Sequence, residues 1–242
     1  MTCHKRTPDI SPLVWLILPV TSYLFFTCIL LTGFPTSMAQ NFGGELGVIE
    51  TAQVLFLLIL IILCSRILLG KRSFPHPRLR LWVVLLMLGA LYTFIEEISW
   101  GQHYFGWATP AWLADLNEQN ETNLHNIETD LFFQIPRAIV MHLPYNLLLT
   151  AIYAGGLLYP VVTKGKRHSW FWPTPVCLPW ALLTACSSVP VFIGGWLASP
   201  VHIRHGELQE YFVYGFLVTY VYALDYRLPH HTTDDITLDT TG

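Results

Sequence analysis

Two adjacent carboxylates, Glu96 and Glu97, interrupt an otherwise apolar run that ends near Trp100. An ionised side chain at membrane depth costs about 2.5–3.5 kcal/mol on insertion scales, less near an interface, so such acids are functional candidates by default. Carboxylates in this setting hold cations, carry protons as general acids or bases, or accept hydrogen bonds from a nearby loop. Adjacent helical residues point about 100° apart, so the two acids cannot serve one groove equally. Glu50 is a third acid of this kind, with Gln53 one turn further on. Glu121, His125 and Glu128 stand at i, i+4 and i+7. On a helix they would share one side and suit a divalent ion with mixed oxygen and nitrogen ligands. The pattern is not HExxH, and a lone His in a polar loop is usually solvated. The His202/His205 pair has the same standing.

The reading that joins these residues is a membrane-embedded enzyme. Glu50, Glu96 and Glu97 are its candidate catalytic acids, and Glu97, Glu121 and His125 its candidate metal ligands. Trp100, His142, Asn146 and Glu207 are the candidate substrate contacts. A carboxylate–His set would hold a divalent ion that activates water, and a second Glu would handle the proton. The chemistry would be metal-assisted hydrolysis or transfer on a lipid-like substrate. Two readings of other classes stand beside it. One is a non-enzymatic accessory or assembly subunit, in which Glu96-Glu97 lock the following loop through its amides and the chain binds a membrane protein partner. The other is a cation or proton pathway along Glu207, Glu210, Tyr214, Val218 and Asp225.

These residues need helices to position them, and composition says which kind. Of 242 residues 53% are hydrophobic and 12% charged, where a soluble domain carries about 25% charged. That excludes a soluble enzyme and a disordered chain, and a net charge of −3 gives no basis for a nucleic-acid partner. Six apolar spans are expected at roughly 13–32, 47–69, 81–100, 137–162, 176–198 and 210–226. Each approaches or exceeds the length that crosses a bilayer core. The fold class is therefore all-α, a polytopic membrane bundle over residues 1–229 with a disordered cytosolic tail at 230–242. The first span is longer than the apolar core of a secretory signal and reads as an anchored helix. With the N-terminus inside, eleven of the thirteen Lys and Arg fall at cytosolic ends and only Arg137 and Arg204 outside. Both termini are then cytoplasmic, in an inner (plasma) membrane.

On the third span Gly89, Thr93, Glu96, Trp100 and His103 fall on one helical face, with Ser99 at its border. His142 and Asn146 add polar groups near Pro144 in the fourth. Four helices thus offer polar groups at similar depth, which implies a buried cavity in the outer leaflet. Pro144, Pro179 and Pro190 lie inside spans, where each frees a helix carbonyl. Pro136 reads as a first-turn proline. Gly155-Gly156 and Gly194-Gly195 read as sites of close helix packing. The five cysteines show no CxxC or zinc spacing and read as small buried hydrophobes.

Residues 101–136 form a long outer segment without Lys or Arg. Thr109-Pro110 predicts a capped helix start, with Trp112, Leu113 and Leu116 making an amphipathic turn suited to the interface. The run Asn117–Asn126 is rich in amides. Here the motifs Glu96-Glu97-Ile98-Ser99-Trp100-Gly101-Gln102, Phe105-Gly106, Thr109-Pro110 and Asn117-x-Gln119-x-Glu121-x-Asn123-Leu124-His125-Asn126 resemble a family of bacterial multi-pass membrane proteins. Glu45-x-Gly47-x-x-Glu50 is similar to the family's motif before its second span. The resemblance covers about residues 40–130 and implies no settled activity. His103 stands where an Arg is expected in that family, and Leu46 replaces an expected Asp. A weaker similarity, through Ser99-x-x-x-His103, is to intramembrane metal hydrolases of the alkaline ceramidase kind. The His-x-x-x-His of their last helix and a seventh span are missing here.

Overall fold

The computed structural model describes residues 10–32, 47–70, 72–117, 120–124, 127, 131–132, 135–136, 143–158, 170–197, 203 and 205–229. These are helical apart from turns, bridge residues such as the pair Asn117 and Ile127, and a short hairpin, β1 (Leu131–Phe132) with β2 (Ile135–Pro136). Pro136 therefore sits in a strand, and the next described helix begins at Leu143.

Four stretches are long and apolar enough to cross a membrane: Leu13–Thr32, Val48–Leu69, Pro77–Glu97 and Pro175–Trp196. We label α1 (Leu18–Thr32), entered through a π-helical turn at Leu13–Ile17, α2 (Val48–Leu69) and α3 (Pro77–Glu97). After α3 come short helices α4 (Gln102–Phe105) and α5 (Ala111–Ala114). Next is α6 (Leu143–Ile152), which continues as a π-helix to Leu158, then α7 (Leu178–Cys186), α8 (Ser188–Trp196) and α9 (His205–Arg227).

The prolines explain local geometry. Pro77 occupies the first turn of α3, and His76 Nδ1 caps that turn by accepting from the Arg78 amide at 3.1 Å. Pro179 falls in the first turn of α7. Pro190 is the disruptive one. It cannot donate to the Cys186 carbonyl four residues back, the α7–α8 stretch breaks at Ser187, and the Tyr23 hydroxyl donates to that carbonyl at 3.1 Å instead.

α9 is the hub. It packs against α2 and α7, and most residues from Leu208 to Leu224 are buried. Gly215 lets this happen, because the Trp180 ring from α7 occupies the space a Cβ would need. A Cβ on Gly156 would meet the Ala181 Cβ at 2.6 Å, so close packing holds there. Gly195 has nothing within 4 Å, so close packing does not hold there. Phe56, Trp180, Tyr211 and Phe212 form a continuous aromatic cluster in this core. Cys64 and Cys177 are buried as small hydrophobes, whereas Cys28 is exposed.

The packing gives the bundle two chemically distinct ends. At one end, the Gln53 amide of α2 donates to the Glu207 carbonyl of α9 at 2.7 Å, and the Tyr214 hydroxyl donates to Glu97 Oε1 of α3 at 3.0 Å. At the other, Arg66 and Arg72 both pair with the buried Asp225, and the Ser73 amide donates to the Pro229 carbonyl at 3.0 Å. Glu50, Glu97, Glu207 and Glu210 thus gather at one end, and Arg66, Arg72 and Arg227 at the opposite one.

Candidate functional site

The site is built where α3 stops. The helix ends at Glu97, and Ser99, Trp100 and Gly101 follow with φ of 46°, 58° and 92°. Three consecutive left-handed residues, two of them not glycine, are strained at about 1–2 kcal/mol for each L-residue. The expected helical face of Gly89, Thr93, Glu96, Trp100 and His103 therefore ends at Glu96. Trp100 and His103 reach the site by a turn, not by helical periodicity. A Cβ on Gly101 would come within 3.1 Å of the Phe105 ring, which adds a packing reason for glycine to its positive φ.

Glu96 holds the turn. Its side chain is buried, with the residue only 3% exposed. Oε1 accepts from Trp100 Nε1 at 2.8 Å, and Oε2 accepts from the Leu124 backbone amide at 2.7 Å. One carboxylate thus fixes both the reversal after α3 and a loop segment 28 residues away. Glu97 points elsewhere, to Tyr214 of α9. This is the divergence that a 100° step between adjacent residues demands.

A second buried carboxylate, Glu121, completes the network. The Ser99 hydroxyl donates to Glu121 Oε2 at 2.8 Å, and Asn123 Nδ2 donates to the same oxygen. Asn123 Nδ2 also lies 3.0 Å from Ser99 Oγ. His103 Nε2 is 3.1 Å from Ser99 Oγ and 3.4 Å from Glu121 Oε1. Asn117 supports the set from below, its Nδ2 donating to Asn123 Oδ1 at 2.9 Å and its Oδ1 accepting from the Glu121 amide at 3.2 Å. Around this core, Gln102 Oε1 accepts from the Thr122 amide at 2.6 Å. Trp107 Nε1 donates to Thr122 Oγ1 at 3.2 Å. Thr109 donates to the Asn120 carbonyl, so it ties the loop instead of capping α5, whose N-cap is Pro110.

The structure thus brings together Glu96, Trp100 and Glu121 from the expected site and separates Glu97 from them by partner. Glu50, Glu97 and Glu207 belong to the α2–α3–α9 end of the bundle. Tyr145 of α6 joins that end through Gln209, at 3.1 Å. Its neighbour Asn146, expected to face the cavity, is exposed. His125, His142 and Glu128 lie outside the described residues, as does His202. Among the described residues, no three His, Cys, Asp or Glu side chains gather as metal ligands. A groove of about 330 Å³ lined by Val48, Thr51, Ala52 and Leu55 contains none of these acids. Asp225, at the end of the expected polar stripe on α9, is held by two arginines. Asn117 and Asn123 are central residues that the helical-face argument did not select, and Ser99, only at the border of that face, is central too. Their signal is compositional: short polar side chains beside a glycine, which hydrogen-bond locally and tolerate turns.

The chain matches no protein-family model, no curated protein and no solved structure. Its class rests on its own features, an assembly of apolar helices long enough to cross a membrane, with buried Ser99 and Glu121 joined by a half-buried His103 after the third.

Proposed function

We propose that the chain is a six-span membrane protein that hydrolyses or transfers an acyl group of a lipid-like substrate at the outer leaflet. The observation that carries this reading is Ser99, a serine in a strained left-handed turn whose hydroxyl donates to the carboxylate of Glu121. Strained backbone and a nucleophile beside a base recur at functional sites. Ser99 Oγ attacks the ester carbonyl and passes its proton to Glu121, the ester C–O bond breaks, and the leaving alcohol takes that proton. Water, or an acceptor alcohol, then attacks the acyl-serine carbon and gives its proton to Glu121, the acyl–Oγ bond breaks, and Glu121 returns the proton to Ser99 Oγ. Asn123 Nδ2 is a donor beside the reacting oxygen, and His103 Nε2 is a second in the tautomer that carries its proton there. His103 uses one nitrogen toward both Ser99 and Glu121, which suits a donor better than the central base of a triad. Glu96 positions the turn. This reading is preferred to the metal-assisted scheme because Glu97 and Glu121, two of that scheme's ligands, bond different partners, Tyr214 and Ser99.

The six-span arrangement adds α9 and the 137–162 region to the four apolar stretches. The acidic end of the bundle would face outward and the arginine end the cytosol, with both termini cytoplasmic in a bacterial inner membrane. The resemblance of the 96–126 motifs to a bacterial multi-pass family is in keeping with that placement. An accessory-subunit reading is favoured by one observation, that Glu96 binds a loop amide as a lock would. The test is reconstitution of the full chain in vesicles of bacterial total lipid, followed by mass spectrometry of the lipids. Loss of an acylated lipid in wild type, absent in Ser99→Ala and Glu121→Gln, supports the enzyme. An unchanged lipid profile in all three removes it and leaves the accessory reading.

A further inference from the structure

Five large aromatic side chains crowd the surface just after α3: Trp100, Tyr104, Phe105, Trp107 and Trp112, with Phe105 78% and Trp112 62% exposed. Two of them pack on each other. Phe105 and Trp107 stack with ring centroids 5.8 Å apart and planes at 7°, and Gly106, at φ 71°, makes the reversal that brings them together. The indole N–H groups of Trp100 and Trp107 turn inward to Glu96 and Thr122, which leaves ring surface outward. A side chain with its polar atom bound inward and its ring exposed matches the interfacial aromatic of a membrane protein.

What covers this face follows from where it sits. α3 presents Leu81, Leu85, Leu88, Leu91 and Tyr92 outward along its length, and these are exposed as lipid-facing residues of a crossing helix are. The exposed aromatic residues follow that helix directly in the chain, after the turn at its end. Residues 101–136 contain no Lys or Arg, so attraction to anionic headgroups does not hold it there. Exposed rings next to a lipid-facing helix end fit the apolar edge of the leaflet.

We infer that residues 100–112 insert their aromatic side chains into the outer leaflet at the headgroup–acyl boundary and present bilayer lipid to the Ser99 site beneath them. The inference rests on the proposed lipid chemistry only for what the face delivers. Insertion itself stands on the geometry, and is expected in neutral phosphatidylcholine as well as in anionic vesicles.

The test places a nitroxide at Phe105→Cys and at Trp112→Cys in a full chain whose native cysteines are alanine, reconstituted in phosphatidylcholine vesicles. Collision rates with molecular oxygen, which concentrates in lipid, are compared with those of a water-soluble nickel chelate. Oxygen collisions exceeding nickel collisions several-fold at both positions supports insertion. Nickel collisions dominating at either position overturns it. Should a labelled chain aggregate, quenching by brominated lipid in the native background, read as the difference between wild type and Trp112→Phe, decides between the same outcomes. Ser99→Ala in the labelled background separates the two proposals. Insertion without any Ser99-dependent turnover keeps the face and removes the enzyme, and turnover with nickel-exposed labels does the reverse.

Discussion

Glu96→Ala is the perturbation that most directly tests how the outer loop is held. The side chain is buried and accepts two hydrogen bonds, from Trp100 Nε1 and from the Leu124 amide. Hydrogen bonds to a charged group contribute about 1.5–3 kcal/mol each, and a donor left unpaired in the interior costs about 1–3 kcal/mol. Trp100 is half exposed, so water can replace part of its bond. The loss should then be about 2–4 kcal/mol, concentrated in the docking of residues 120–124 rather than in the bundle. If the Leu124 amide exchanges by local opening, its hydrogen exchange should accelerate about 30- to several-hundred-fold, at tenfold per 1.4 kcal/mol. Glu96→Gln should sit between, because its amide oxygen keeps one acceptor while its NH2 faces a donor, a loss of about 1–2 kcal/mol. The assay is exchange followed by mass spectrometry on detergent-solubilised protein, with α9 amides as the internal reference. An unchanged Leu124 rate in Glu96→Ala would refute the account of the loop.

Other expectations follow from the same structure. Asp225→Ala should lower the stability of the bundle by about 2–3 kcal/mol, less than a fully buried pair because Arg66 is half exposed; an unaltered midpoint in SDS titration followed by circular dichroism would contradict this. Gly215→Ala should be strongly destabilising in the same titration, since Trp180 holds the Cβ position, while Gly195→Ala should be neutral. Equal effects of the two would show that the α7–α9 contact does not matter. Ser99→Gly should be more stable than Ser99→Ala by about 1–2 kcal/mol, because both lose the hydroxyl and only glycine relieves the positive φ. Thermal melts that rank them the other way would show that the turn is not strained.

Much of the bundle was legible because its signals are local. Apolar length located the four crossing stretches, and the step between neighbouring helical positions separated Glu96 from Glu97. Pro190 frees a carbonyl as a proline inside a span must, but the new donor, Tyr23, lies in α1, and local sequence carries no signal of it. The end of α3 was not legible. Trp100 has no intrinsic preference for positive φ, and it takes that conformation where Glu96 bonds its indole and Glu121 bonds the neighbouring Ser99. Extending helical periodicity to His103 failed for that reason. Pro136 misled in the same way, since a proline before an apolar run fits a strand end as well as a helix start. Asn123 and Asn117 were visible as turn formers, but their assembly around Glu121 depends on a fold that brings residue 99 beside residue 121.

The central claim is that Ser99 is an activated nucleophile. Treatment of the reconstituted full chain with an alkyl fluorophosphonate, followed by peptide mapping, tests it most directly. The account predicts one covalent adduct, on Ser99, absent in Ser99→Ala and strongly reduced in Glu121→Gln. A wild-type chain whose Ser99 peptide remains unmodified, or labelling of Ser99 that is indifferent to Glu121→Gln, would contradict it.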